Sequence, residues 1–222
     1  MINNSERIIK AAPLFIFKWR GLIMAVVAAI ILMVARPTVS SWGWGAILAL
    51  IGEALRSWAL GWTGEHTRSQ ELKANFLVTS GPYRYVRNPL YLGNILTGCG
   101  VMLAASGALS FWALGGVWLL GILSLYVVYY SCIISEEAFL ADHFGDIFLS
   151  YQERTPSLLP RLYSIPSLIR EGLGPNPAAC EATCGEGESF SWKALRFEYS
   201  TWGWLILVWG FLFIRAIGKL PL

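Results

Sequence analysis

The sequence predicts an all-α integral membrane protein with about five transmembrane helices. Three observations carry that expectation. Of the 222 residues, 55% are hydrophobic and only 14% are charged, whereas a soluble domain is about a quarter charged. The apolar residues fall into long runs whose ends carry the basic residues, as topology signals do. Eleven Trp and nine Tyr suit the aromatic belts at the two faces of a bilayer. A net charge of +3 is too small to argue for nucleic acid. The partners expected are the lipid bilayer and a lipophilic small molecule.

The first residues, Met1 to Lys10, are polar, and no small-residue cleavage site follows. A cleavable leader is therefore not expected, and the first span is expected to stay. Span one is read as Leu14 to Ala35, with Lys18 and Arg20 snorkelling to the surface and Arg36-Pro37 ending it. Span two is read as Trp42 to Trp62. It carries Glu53 and Arg56, three residues apart on one helix face and able to pair. Charges at that depth face a protein interior or a wet cavity: either a structural ion pair or the wall of a polar pocket.

A polar stretch, Gly64 to Arg87, follows. From Asn88 to Ser135 no residue is charged. A span needs about 20 residues, so this run is too long for one. Ala104-Ala105-Ser106-Gly107 divides it into span three (Leu90 to Ala104) and span four (Leu109 to Ile134), joined by a very tight turn. Glycines 93, 98, 100, 115, 116 and 121 allow close helix approach. Glu136 to Arg196 then turns soluble in character. Its first part, Glu136 to Glu153, reads as an amphipathic helix interrupted by Gly145. Gly172 to Gly187 reads as a loop, and Phe197 to Ile217 as a fifth span. In domain terms the expectation is residues 1–62 for the first two spans, 63–165 for a functional core, and 166–222 for the loop and last span.

Four cysteines are present. Cys99 and Cys132 sit in apolar runs and read as small hydrophobes. Cys180 and Cys184 have no nearby His, so no metal site is expected. The N-terminal flank (Arg7, Lys10, Lys18, Arg20) and the 64–87 loop (Arg68, Lys73, Arg84, Arg87) each hold four basic residues. Arg36 stands alone between spans one and two. This bias puts the N-terminus, the 64–87 loop and the 135–196 region in the cytoplasm. Arg215 and Lys219 run against it.

That topology brings two polar segments to one membrane face. One runs from Asn75 to Gly93; the other begins at Glu136-Glu137 and ends Tyr151-Gln152-Glu153-Arg154-Thr155-Pro156. Arginines and backbone N–H groups there suit a carboxylate. Carboxylates suit an ammonium or ribose hydroxyls, and tyrosines suit a ring face or a sulfonium. The plainer reading makes Arg84 and Arg87 topology signals and Glu136-Glu137 a helix-end charge.

The sequence Leu77-Val78-Thr79-Ser80-Gly81-Pro82-Tyr83-Arg84-Tyr85-Val86-Arg87-Asn88-Pro89-Leu90-Tyr91-Leu92-Gly93, followed by Glu136-Glu137-x-x-Leu140-x-x-x-Phe144-Gly145 and Tyr151-x-x-Arg154-x-Pro156, resembles the isoprenylcysteine carboxyl methyltransferase family. That family overlaps with the membrane phospholipid methyltransferases. The resemblance covers roughly residues 45–160. It implies S-adenosyl-L-methionine as methyl donor, bound in a cytoplasmic pocket at the membrane surface, and a lipophilic or prenylated acceptor.

By position the resemblance assigns Asn75, Phe76, Leu77 and Val78 to a stretch along the cofactor. Tyr83, Asn88, Pro89, Leu90 and Tyr91 match its main cofactor motif. Glu136 matches its cofactor-binding glutamate, with Glu137 beside it, and Arg154 the arginine before the closing proline. Positions 75 and 88 are often His in eukaryotic members and are Asn here. Cys132 stands where those members place an arginine assigned to the substrate. On the acceptor side the candidates are Cys132, Glu53 and Arg56. No catalytic base is assigned.

No Gly-x-Gly-x-x-Gly follows a strand pattern, which excludes a soluble Rossmann-type methyltransferase domain. Besides O-methylation of a carboxylate, three alternatives stand. They are a phospholipid amine N-methyltransferase, an NADPH-dependent sterol-reductase-like enzyme, and a non-catalytic membrane protein.

Overall fold

The computed structural model of the chain describes residues 4–63, 77–160 and 190–218. Among these residues the protein is all-helical, with no strand. Six α-helices follow one another: α1 (Asn4–Val34), α2 (Val39–Thr63), α3 (Pro89–Ala105), α4 (Phe111–Phe144), α5 (Asp146–Arg154) and α6 (Tyr199–Ala216). Short 3-10 turns cover Gly81–Arg84 and Trp192–Glu198.

The boundaries follow local chemistry. Pro37 cannot continue α1. Thr38 and Ser41 exchange backbone and hydroxyl hydrogen bonds at the start of α2, where the Ser41 N–H donates to Thr38 Oγ1 at 3.2 Å, a capping arrangement. Pro89 occupies the first turn of α3, where its missing N–H costs nothing. The expected break between span four and a separate amphipathic helix is absent. No breaker lies between Ile134 and Glu136, and α4 continues unbroken to Phe144. It stops at Gly145, whose φ of +53° is a left-handed geometry that glycine adopts freely.

By length and composition two helices are apolar enough to cross a membrane, Phe15–Val34 and Phe111–Phe144, each with a mean hydropathy of 2.1. Only 11% and 33% of those windows are buried, so neither is the hidden core helix of a soluble protein. Phe15, Leu22, Val26, Leu119, Leu123 and Tyr126 are all more than half exposed. Pro89–Ala105 and Thr201–Ala216 are shorter apolar helices.

The chain forms two compact units, interleaved along the sequence. The first comprises residues 1–52, 95–135 and 200–222. Its core gathers Ile31, Ala35, Met102, Ala105, Val117, Leu125 and Leu212. Small residues set the spacing: an added Cβ at Gly100 would lie 2.6 Å from the Gly45 carbonyl oxygen and 2.8 Å from the Ala49 nitrogen. Side chains also hydrogen-bond between its elements. Trp42 Nε1 donates to the Trp209 carbonyl at 3.1 Å, and Ser41 Oγ to the Ala104 carbonyl at 3.0 Å. Trp118 Nε1 donates to Ser106 Oγ at 3.1 Å.

The second unit comprises residues 53–94 and 136–199. It holds a small apolar cluster of Ala59, Trp62 and Tyr83 with Trp58, Val78, Leu90 and Phe190 packed on it. Leu60, Leu77, Val86 and Phe148 are buried in it as well, and polar contacts link its segments.

Candidate functional site

The second unit joins the two sequence segments expected to meet. The backbone makes the first connection. The N–H groups of Arg87 and Asn88 donate to the carbonyls of Pro156 and Ser157 at 2.9 and 3.0 Å. The chain entering α3 is thus paired with the chain leaving α5. The Asn88 carbonyl accepts the Leu92 N–H at 3.1 Å, so Asn88 caps α3.

Glu137 is the hub of the side chains. Its carboxylate accepts from Arg87 Nε and Nη2, both at 3.0 Å, a bidentate pairing. It also accepts from Asn88 Nδ2 at 2.9 Å, Gln152 Nε2 at 3.2 Å and Ser157 Oγ at 3.4 Å. A carboxylate offers about four lone-pair sites, so these five contacts fill it. Arg87 completes the knot through Nη1, which donates to the Gln152 and Thr155 carbonyls at the end of α5, where a cation is favoured. Tyr151 Oη donates to the Tyr83 carbonyl at 2.6 Å.

The turn at Ser80–Tyr85 is tight. Gly81 has a φ of +59°, and a side chain there would run into the Trp62 indole. Trp62 is 8% exposed, and its Nε1 is a buried donor with no acceptor among the described residues. Tyr83 is equally buried. Burial holds its hydroxyl well above the usual phenol range, and the Glu136 carboxylate adds to the shift. A hydrogen bond with Thr63 opposes it, and Tyr151 contributes a further rise. Tyr83 is therefore neutral at any ordinary pH, a hydrogen-bonding group and not a base.

A second polar cluster surrounds Arg56. The expected Glu53 pairing exists but is long, 3.9 Å. The short contacts are to Glu198 at 2.6 Å and to Asn94 Oδ1 at 2.9 Å. Glu198 is 3% exposed. The segment that carries it lies along the end of α2: the Ser191 N–H donates to the Gly61 carbonyl at 2.7 Å, and Phe190 meets the Trp62 ring edge-on at 6.2 Å.

Of the residues singled out in the sequence, Leu77, Val78, Tyr83, Asn88, Pro89, Leu90, Tyr91, Glu136, Glu137 and Arg154 all belong to this unit, as do Glu53 and Arg56. Leu77, Tyr83, Asn88, Pro89 and Tyr91 are buried, whereas Arg154 is exposed. Cys132 is fully buried in the first unit. Asn75, Phe76 and the 172–187 loop with its two cysteines lie outside the described residues. Among the described residues no group of His, Cys, Asp and Glu is arranged to hold a metal ion.

Sequence reasoning missed Trp62, Asn94, Ser157, Phe190 and Glu198. Asn94 and Ser157 each sit one residue past a quoted motif. Trp62 ends the span-two pattern, and nothing in that pattern marks its indole N–H. Nothing local marks Glu198.

Fold and site together define a class: an all-helical, membrane-associated protein with a dense ionic knot at one set of helix ends. The comparisons with known proteins narrow that class. Residues 40–147, just under half of the chain, match the family model of the phospholipid methyltransferases. The protein-S-isoprenylcysteine O-methyltransferase of Schizosaccharomyces pombe is 33% identical over 122 residues, 50% of this chain and 45% of that protein. The Xenopus laevis protein of the same name is 30% identical over 121 residues, 52% of this chain and 39% of its own. The cobalt-zinc-cadmium resistance protein CzcN of Cupriavidus metallidurans is 39% identical over 95 residues, 40% of this chain and 38% of its own. The chain thus spans less than half the length of the curated relatives it matches. No solved structure matches. The 40–147 segment is thus similar to the phospholipid methyltransferases, and about half of the chain is similar to the isoprenylcysteine O-methyltransferases, a likeness that points to a methyl donor.

Proposed function

We propose that the protein is a multi-pass membrane methyltransferase. It transfers the methyl group of S-adenosyl-L-methionine to the carboxylate of a lipophilic, prenylcysteine-like acceptor. One observation carries this reading above the others: Asn88 and Glu137, 49 residues apart, share a hydrogen bond. That bond, linking the two motif segments of the resemblance, supports reading them as parts of one site.

The residues fit the donor. Trp62 Nε1 is a buried N–H with no acceptor among the described residues, suited to a carboxylate or a ring nitrogen. Glu136, beside the buried Tyr83, suits an ammonium or ribose hydroxyls, and the tyrosines suit a cationic centre. Asn75, Phe76, Leu77, Val78, Leu90 and Tyr91 would line the adenosyl part, with Arg154 at the rim. The Arg87–Glu137 knot serves as scaffold: both groups are already saturated, and their task is to hold Asn88, Pro89 and Tyr91 in place.

When bound, the donor supplies an electrophilic methyl group on a sulfonium. The chain's own part is to align the acceptor oxygen with that methyl and exclude water. A carboxylate is already ionised and needs no base. Arg56, held among Glu53, Asn94 and Glu198, is the guanidinium this reading offers to the acceptor side, and Cys132, buried in the first unit, is the other acceptor-side candidate. Incubating membranes with isotopically labelled S-adenosylmethionine and following the label by mass spectrometry tests the reading. Label in a methyl ester of a prenylcysteine supports it. Label confined to water-soluble acceptors overturns it.

A second reading, N-methylation of a phospholipid amine, is favoured by the description of the matching family. Label in a phosphatidylethanolamine-derived head group would select it. Calorimetry separates both from a reductase: S-adenosylhomocysteine should bind and NADPH should not.

The proposed topology has five spans, a tight turn between the third and fourth, and the N-terminus and cofactor site in the cytoplasm. The Lys/Arg bias of the sequence supports it. A cysteine introduced by Ser69→Cys should react with an impermeant thiol reagent only from the cytoplasmic side. Labelling from the outside overturns the orientation.

A further inference from the structure

Arg36 and Arg215 contribute to neither the ionic knot nor the proposed function, yet they line one open cavity of 440 Å³ in the first unit. That volume lies in the ~300–1,000 Å³ range of small-molecule sites. Met33, Val34, Leu109, Ser110 and Ala113 complete its wall. Arg36 is fixed through its backbone: its N–H donates to the Ala105 carbonyl at 2.9 Å, and its carbonyl accepts the Ala108 N–H at 2.7 Å. Its side chain is exposed. Arg215 Nη1 donates to the Leu32 carbonyl at 3.0 Å, at the C-terminal end of α1.

None of the residues lining the cavity is acidic. The sequence has no Asp or Glu from Arg7 to Gly52, from Pro89 to Ser135, or from Tyr199 to Leu222. Glu6 is the one acidic residue of the first unit, and it lies at the other end of α1, roughly 40 Å away at 1.5 Å per residue. The C-termini of α1 and α6 each contribute only about half a negative charge. Two guanidiniums therefore leave the cavity positive by about one unit. Two arginines near span ends that should carry few of them also run against the topological bias.

We propose that this cavity binds the phosphodiester of an anionic membrane lipid. The monoanionic phosphate would sit between Arg36 and Arg215, and Ser110 would offer its hydroxyl. The acyl chains would run down the exposed apolar surface of Met33 and Val34. A charge of about one unit matches one phosphodiester, and a cavity open beside exposed apolar side chains suits a head group whose tails stay in the bilayer.

The test uses the full chain, purified in a neutral detergent. Phosphatidylglycerol, phosphatidylcholine and inorganic phosphate are added separately, and binding is read by native mass spectrometry and by thermal midpoint. Phosphatidylglycerol should be retained and should raise the midpoint. Phosphatidylcholine and inorganic phosphate should do neither. Arg36→Gln should weaken phosphatidylglycerol binding about tenfold, as loss of a charged hydrogen-bond partner does, and Arg36→Glu should abolish it. Both variants should keep the wild-type midpoint without lipid, because the Arg36 side chain is exposed. Equal retention of the two lipids, an unchanged affinity in Arg36→Glu, or the same shift with inorganic phosphate alone would each overturn the proposal.

Discussion

The two units of this chain differ in what ties their segments together. In the first, apolar side chains and close approaches at glycines set helix spacing. In the second, a carboxylate accepts five contacts, and a guanidinium ties the end of one helix to the start of another, beside buried apolar side chains such as Leu60 and Phe148. A unit held by volume tolerates changes of polarity at its surface and fails when a methyl group is added at a close approach. A unit held by charge tolerates modest changes of shape and fails when one partner is removed.

Glu137→Gln should produce the largest effect. It leaves Arg87 largely buried beside a neutral group, and breaking such a pair costs about 3–5 kcal/mol. The thermal midpoint should fall and donor binding should be lost with it. A midpoint equal to wild type would show that the knot is not structural. Gly100→Val breaks the other unit. The new side chain meets the backbone of Gly45 and Ala49, and overpacking of this kind costs about 1–3 kcal/mol. Denaturant melts should show that loss, with S-adenosylhomocysteine affinity in the surviving folded protein unchanged.

Trp62→Phe is milder. It removes a buried N–H that has no acceptor among the described residues, so stability should hold. Affinity for S-adenosylhomocysteine should drop by about 1 kcal/mol, the usual worth of one hydrogen bond. Unchanged affinity by calorimetry removes Trp62 from the site.

The smallest effect lies at alkaline pH. Tyr83 keeps its proton in the folded protein beyond the ordinary phenol value of about 10. Its contribution is intact below that value. It is lost as pH rises toward the raised folded value, because the unfolded chain gives up the proton first, at no more than about 1.4 kcal/mol per pH unit. Tyr83→Phe should remove that part of the alkaline slope and leave stability at neutral pH less affected.

How much of this was legible in the sequence depended on the range of the interaction. α2 and α3 begin within a few residues of their expected starts, because Pro37 and Pro89 act locally. The continuity of α4 through Glu136 was hidden, because a change of composition was taken for a change of element. The roles of Glu136 and Glu137 were indistinguishable for a different reason. Adjacent helix positions differ by about 100° in direction, and only the partners reveal that Glu137 faces Arg87. The Glu53–Arg56 spacing correctly announced a local pair but gave no hint of Glu198, 142 residues along the chain from Arg56. Local patterns report turns, caps and i,i+3 neighbours; they carry no record of a contact closed by the far end of the chain.

Glu198 has one more implication, for boundaries. Homology draws its line at residue 147, yet the carboxylate nearest Arg56 arrives fifty residues later. A chain shortened to the homologous stretch would strand a guanidinium in a largely buried setting and uncover the Trp62 face that Phe190 now packs against. The Arg56 cluster is therefore completed by a residue outside the 40–147 segment that matches the family model. Anyone grafting the family segment onto another scaffold has to bring residues 190–198 along.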